Sequence, residues 1–303
     1  MRAAAIQINS TEDKARNMET ADRLTRAAAA DGADLIVLPE KFNVLGTHED
    51  YLAGAETLEG PTIAWARAAA KELGLDLVAG SIVERREGRE KLGNTSVHVG
   101  PDGEIKGIYR KIHMFDVVVG GIEYRESASE EPGGEIVTSE AGGVPLGLAV
   151  CYDLRFPELF RILAIKGARV IALPAAFTKV TGQAHWEILV RARAIENQAF
   201  FVAADQIGTH PPDKESFGGS MIVDPWGEVL ARAPDIGDRA QPAEPAASQI
   251  GDRAQPAEPA ASQQECFVAA NLDFAKQDEV RDKLPALANR MPATYIWPEG
   301  MPA

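Results

Sequence analysis

Gly147-Leu148-Ala149-Val150-Cys151-Tyr152-Asp153-Leu154-Arg155-Phe156-Pro157-Glu158 is the stretch on which the chain turns. An apolar run with strand character, Val144 to Val150, ends on a cysteine, and a polar turn follows. Phe156 to Lys166 then reads as a helix, with Pro157 suited to its first turn, where the missing N–H costs nothing. A thiol placed there sits at a strand end, facing the positive end of a helix, and that placement is expected to favour thiolate. A buried cysteine that only packs is the alternative, because free cysteine is among the most buried residue types. A base and a cation at other strand ends would decide for chemistry.

Working outward, strands and helices alternate. Ala3 to Ile8 reads as a first strand, and Thr11 to Ala30 as a helix that stops at Gly32. Asp34 to Leu38 is a fully apolar strand, as expected in a sheet covered on both faces, and it runs into Pro39-Glu40-Lys41-Phe42. Pro61 to Leu73 is a helix bounded by Pro and Gly74, and Asp76 to Val83 is one strand. Asn94 to Val99 and Glu104 to Tyr109 flank Pro101-Asp102-Gly103 as a hairpin, which leads into Tyr109-Arg110-Lys111-Ile112-His113. Gly120 to Gly134 reads as a long loop, and loops of that length in compact domains are often functional. Beyond the cysteine come a strand at Arg169 to Leu173, a helix at Ala184 to Ala199, and a strand at Phe200 to Asp205. A hairpin follows around Asp224-Pro225-Trp226-Gly227, then a strand at Cys266 to Leu272 and a short helix at Asp273 to Lys283. Alternation joined by hairpins implies mixed sheets.

One segment stands apart. IGDRAQPAEPAASQ at 236–249 is repeated unchanged at 250–263, and its Pro, Ala, Gln and Glu content cannot build a core. The expectation is one domain over 1–285 carrying a disordered duplicated insertion at 236–263. A proline-punctuated tail at 286–303 is expected to pack across a partner subunit.

Composition bounds the function. The 303 residues suffice for a large core, and 45% hydrophobic with 25% charged residues is ordinary for a globular protein. A net charge of −14 argues against nucleic acid or anionic membrane as partner. The first residues lack the pattern of a signal peptide, and no apolar run approaches the roughly 20 residues of a membrane helix. Two cysteines make no disulfide framework and suit a reducing cytoplasm, and the five histidines show no zinc-ligand spacing, so no metal and no cofactor are expected.

Glu40, Lys111 and Cys151 each follow a strand, and such ends line the ligand crevice of open α/β sheets. Together they supply base, cation and nucleophile, the parts needed for acyl transfer at a carbonyl. Each alone has a plainer reading, as a solvated carboxylate, a surface lysine and a packed thiol.

Leu38-Pro39-Glu40, Tyr109-Arg110-Lys111-Ile112-His113 and Cys151-Tyr152-Asp153-Leu154-Arg155-Phe156-Pro157-Glu158 resemble the three signatures of the nitrilase (carbon–nitrogen hydrolase) superfamily. The Cys-Tyr-Asp form, with His185-Trp186-Glu187 and the Arg191 to Asn197 stretch downstream, is similar to the amidase branch, and within it to deaminated-glutathione amidases and ω-amidases. The resemblance implies an α/β fold of the four-layer αββα sandwich type with mixed β-sheets, assembled as a homodimer or higher homo-oligomer. It implies a Cys151 nucleophile, a Glu40 base, an oxyanion held by Lys111 and the backbone N–H of Tyr152, and a fourth residue, Glu126, that orients Lys111. The implied reaction turns a small carboxylate-bearing amide into acid and ammonia through a cysteine thioester. The family's Asp-x-Pro-Gly before the fourth residue is missing here, where Asp116-Val117-Val118-Val119-Gly120-Gly121 stands.

For substrate binding, Arg155 is the candidate to grip a carboxylate in bidentate fashion, against a structural ion pair with Glu158 or Asp153. His185, Trp186, Phe177 and Thr178 are pocket candidates, with core packing the alternative for Trp186, and Tyr124 is a candidate lid. Two other functions fit the same residues. One is an N-carbamoyl amino acid amidohydrolase, against which Leu154 stands where a second arginine is often found. The other is a catalytically silent interaction protein of the same fold.

Overall fold

β1 (Arg2–Gln7) shows how the sheets are built, because successive side chains leave a strand on opposite faces. Ala4 and Ile6 enter one core, and Ala3 and Ala5 enter a second. β2 (Leu35–Val37) repeats the split, with Leu35 and Val37 on one side and Ile36 on the other. Between them runs α1 (Lys14–Ala30), whose Asp13 cap accepts the Arg16 N–H at 3.0 Å and which gives way to Gly32 at φ 84°. The structure, a computed structural model, describes residues 1–236 and 265–295. The expected insertion beyond Ile236 and the end of the tail at 296–303 therefore lie outside the described residues.

The chain continues through α2 (His48–Gly54), α3 (Pro61–Leu73), β3 (Asp76–Val78), β4 (Ile82–Glu84), β5 (Gly93–Val99) and β6 (Ile105–Arg110). Next come β7 (Asp116–Val119), β8 (Ile122–Arg125), β9 (Thr138–Ala141), β10 (Val144–Leu148), α4 (Pro157–Ile165) and β11 (Val170–Ala175). α5 (Lys179–Asn197), β12 (Phe200–Asp205), β13 (Ile207–His210), β14 (Lys214–Phe217), β15 (Met221–Val223) and β16 (Val229–Arg232) follow. β17 (Cys266–Asn271) and α6 (Phe274–Lys283) come last.

One sheet has the order β17-β1-β2-β3-β5-β4, with β6 on β5, and the other has β16-β15-β12-β11-β10-β9. Each has a parallel centre, β1-β2-β3 and β10-β11-β12, with antiparallel flanks, so both sheets are mixed. α1 and α3 cover the outer face of the first sheet through Ala21, Leu24, Ile63 and Ala66. α4 and α5 cover the second through Leu159, Phe160, Leu163, Trp186 and Val190, and β1 packs against β12 between the sheets. This is the four-layer αββα sandwich.

Four local readings need correction. The strand expected over 76–83 is two, because Gly80 breaks it at φ 42°, with a would-be Cβ 2.0 Å from the Pro39 carbonyl oxygen. The stretch read as a loop from Gly120 opens instead as the second strand of a hairpin, β7–β8, turning on Gly120 and Gly121, both at positive φ. α5 begins five residues before the expected Ala184, capped by Thr178, and contains Gly182, where a Cβ would fall 2.2 Å from the Phe217 side chain. The β13–β14 hairpin and α2, the latter marked by a Thr47–Asp50 capping box, were not expected.

Candidate active site

Glu40 stands where the first sheet meets the second. Its N–H reaches the Ala175 carbonyl of β11 at 3.3 Å, and Gln206 donates to its own carbonyl at 2.9 Å. The side chain, 3% exposed, accepts hydrogen bonds from Lys111 Nζ at 3.0 Å, Asn94 Nδ2 at 2.7 Å and the Ala176 N–H at 2.9 Å. Lys111, at the end of β6, also donates to both oxygens of Glu126, at 2.8 and 3.0 Å. Glu126 is fixed further by Asn94 at 3.0 Å and by the Phe115 N–H at 2.7 Å.

Cys151 follows β10 at φ 47°, a left-handed conformation that an L-residue rarely adopts, and opens a short 3₁₀ turn over Cys151–Arg155. Asp153 ties this turn to the lysine segment. Its carboxylate accepts from the Val150 N–H at 2.8 Å, the Tyr109 hydroxyl at 2.7 Å and His113 Nδ1 at 2.7 Å. The His113 ring in turn stacks on Phe156 with centroids 3.6 Å apart. The Cys151 thiol and the Glu40 carboxylate border the same cavity, close enough for the Glu40 charge to act on the thiol.

The electrostatics follow from burial. Burial opposes the Lys111 charge, but Glu126 and Glu40 more than offset it, so its pKa is held well above the ordinary lysine value. Burial also opposes the Glu126 charge, yet Lys111 and Lys41 hold that carboxyl below the usual range. Burial, then the Glu40 charge, pushes the Cys151 thiol well up despite Lys111. The expectation of a standing thiolate is therefore corrected. Cys151 does not adjoin the start of α4, which lies at Pro157, and its nearest charges include a carboxylate.

Residues missed from sequence complete the network. Lys41, also at positive φ (50°), buries its ammonium 2.6 Å from Glu130 and 3.5 Å from Glu126, over the Tyr51 ring. Burial raises the Glu130 pKa to about 7, and Glu126 adds to this while Lys41 opposes it. Asn94 carried no signal beyond being a polar residue at the start of a strand, whereas Asp153 lies in the Cys-Tyr-Asp signature and Lys41 directly follows Glu40 in the sequence.

These groups line a cavity of about 210 Å³. Glu40, Lys111, Cys151 and Glu126 all border it, as do Tyr124, Tyr152, Phe177 and Thr178. Three candidates do not. Trp186 is fully buried in the core, where its indole N–H donates to the Gly219 carbonyl at 2.9 Å. His185 lies in a separate surface cleft. Arg155 is drawn to His185 Nδ1 at 3.3 Å and lies over the rings of Tyr152 and Phe177, making no ion pair with Glu158 or Asp153. Among the described residues no group of His, Cys, Asp and Glu side chains could hold a metal, and no helix is long and apolar enough to cross a membrane.

A thiol and a carboxylate on one cavity, with an ammonium between two carboxylates beside them, can attack a carbonyl, shuttle a proton and stabilise the resulting oxyanion. In an αββα sandwich this arrangement defines a class of thiol-dependent hydrolases. The chain belongs to the carbon–nitrogen hydrolase family, whose sequence pattern matches residues 2–238. It is a hydrolase of non-peptide carbon–nitrogen bonds. It is 42% identical over 237 residues to the deaminated glutathione amidase of Mus musculus, covering 76% of this chain and 73% of that protein. It is 34% identical to Omega-amidase NIT2 of Homo sapiens, over 97% of this chain and 96% of that one. Among solved structures it is similar to the C. elegans NitFhit protein, with a TM-score of 0.81 and 29% identity over 97% of this chain, and it spans 66% of that longer chain.

Proposed function

We propose that the chain hydrolyses a small carboxylate-bearing amide, of the kind found in deaminated glutathione or the ω-amide of a 2-oxo acid. The observation that carries this reading is the Glu40–Lys111 ion pair, at 3.0 Å, in one cavity with the Cys151 thiol. Glu40 takes the thiol proton as Sγ attacks the amide carbon. The tetrahedral oxyanion is held by Lys111 Nζ and the Tyr152 N–H, where one well-placed donor is worth roughly 3 kcal/mol. The C–N bond then breaks, and the proton on Glu40 passes to the departing nitrogen. Water, deprotonated by Glu40, attacks the thioester, and Sγ leaves and recovers that proton. Glu126 positions Lys111, and Lys111 together with Lys41 keeps Glu126 ionised.

The names of the two relatives support the substrate class. Free Cys151 and Cys266 fit a reducing cytoplasm. Two adjacent helices leave Ile162 and Ile165 on α4, and Ile188 and Ile195 on α5, exposed, which fits pairing of two copies.

The test is product release from 2-oxoglutaramate, deaminated glutathione and an N-carbamoyl amino acid, with Cys151→Ala in parallel. Cleavage of either of the first two, lost in the variant, is expected. Turnover of the carbamoyl compound alone would make the protein a carbamoyl amidohydrolase, and silence on all three would favour a non-catalytic role.

A further inference from the structure

Ion pairing around the cavity leaves one lysine outside any salt bridge. Five carboxylates line it, and each has a basic partner: Glu40 and Glu126 have Lys111, Glu130 has Lys41, Glu123 has Arg125, and Glu215 has Lys179. Lys214 also lines it, half-buried, and among the described residues it forms no ion pair and no side-chain hydrogen bond. Its ammonium sits 5.2 Å from the centre of the Tyr124 ring, so it reaches from β14 toward the β7–β8 hairpin.

The wall that carries it is firmly docked. Ser216 bridges to Thr178 in antiparallel fashion, the Phe217 N–H donates to the Phe177 carbonyl at 2.8 Å, and Glu215 meets Lys179 at 3.0 Å. Lys214 is thus held beside the N-terminal turn of α5, whose free N–H groups add positive potential. Burial, then the nearby charge of Lys41, lowers the Lys214 pKa, against the weaker pull of Glu126 and Glu130. A half-buried ammonium in no salt bridge is costly, and an anion brought by a ligand reduces that cost. Arg155, the cation that the sequence put forward for this task, does not border the cavity and lies behind the Tyr152 and Phe177 rings, beside His185.

We infer that Lys214 is a specificity-determining residue of this amidase, which binds the carboxylate at the non-reacting end of the substrate from the β13–β14 wall of the cavity. The inference rests on the amidase reading above and adds which residue selects anionic amides. Charge-assisted hydrogen bonding at such a site is worth a tenfold preference or more.

The experiment compares two primary amides of equal length on the full chain: glutaramate, which ends in a carboxylate, and pentanamide, which ends in a methyl group. The ratio of their kcat/KM values is measured for the wild type and for Lys214→Met, Lys214→Arg and Arg155→Met. The wild type is expected to prefer glutaramate. Lys214→Met should lower the ratio by about tenfold or more, mainly through the KM for glutaramate, and Lys214→Arg should keep most of it. The inference is overturned if Lys214→Met leaves the ratio unmoved, if both lysine variants lower it alike, or if Arg155→Met lowers it more. A wild type that cleaves both amides without preference overturns the inference alone. A wild type that cleaves neither overturns the amidase reading with it.

Discussion

Lys41 and Cys151 share an uncommon backbone state, with φ at 50° and 47°. A non-glycine residue held there costs on the order of 1–2 kcal/mol, so its surroundings must enforce it. At Cys151 the clamp is Asp153, bonded to Val150, Tyr109 and His113, and the residue borders the same cavity as Glu40. At Lys41 the N–H meets Ser81 Oγ at 3.0 Å, and the turn places one charge of each sign, Glu40 and Lys41, on the same cavity. The thiol itself is not pre-ionised, since burial and the Glu40 carboxylate both raise its pKa. Its alkylation by iodoacetamide should therefore rise only above the ordinary thiol range near pH 8.5. Removing the neighbouring negative charge with Glu40→Gln should move the midpoint to lower pH. A wild-type midpoint below the ordinary range would restore the thiolate that the sequence suggested.

Elements put those residues in place, and the break between β3 and β4 is the most exacting of them. Gly80 N–H turns back to the Val78 carbonyl at 2.7 Å, while the Ser81 N–H meets the Pro39 carbonyl at 3.3 Å. The Leu38-Pro39-Glu40 turn is thereby packed against backbone with no room for a methyl group. Gly80→Ala should lower activity by at least about tenfold and destabilise the fold by more than about 1 kcal/mol, as positive φ and overpacking both predict. Thermal melting and kcat/KM measure the two effects, and a fully active, equally stable variant would show that this contact does not position Glu40. The strands with clear alternation or apolar runs, and the helices bounded by Pro61 and Gly74, were legible because their cause is local. β7–β8 was also encoded, in three valines before Gly120-Gly121, but the glycines read more readily as loop. The start of α5 was obscured because Gly182 answers to Phe217, a contact 35 positions away that no local pattern records.

Across the whole molecule, the candidate catalytic cavity is assembled from both sheets and from hairpins at their margins. Glu40 and Lys111 come from the first sheet, Cys151 and Ala176 from the second, and Tyr124 and Lys214 from the two small hairpins. This explains which part of the site could be read in the sequence. Residues at strand ends, Glu40, Lys111 and Cys151, announce themselves, because sheet topology sends such ends to one crevice. Residues that serve through long-range pairing, such as Lys41 with Glu130 or Lys214 with no partner among the described residues, acquire meaning once the hairpins are placed. Trp186 and Arg155 illustrate the converse, since neighbours in sequence to plausible site residues were carried into the core or behind the rings that line the cavity. The net charge of −14 likewise says little of the site, whose lining includes Lys41, Lys111 and Lys214.

The central claim is that Cys151, deprotonated by Glu40 across the sheet junction, carries the acyl group. Intact-protein mass spectrometry after rapid acid quench of the full chain turning over glutaramate tests it most directly, followed by peptide mapping. The account predicts one acyl group per chain, located on the peptide containing Cys151 and absent from Cys151→Ala. An acyl group on Cys266, or undiminished turnover by Cys151→Ala, would contradict it.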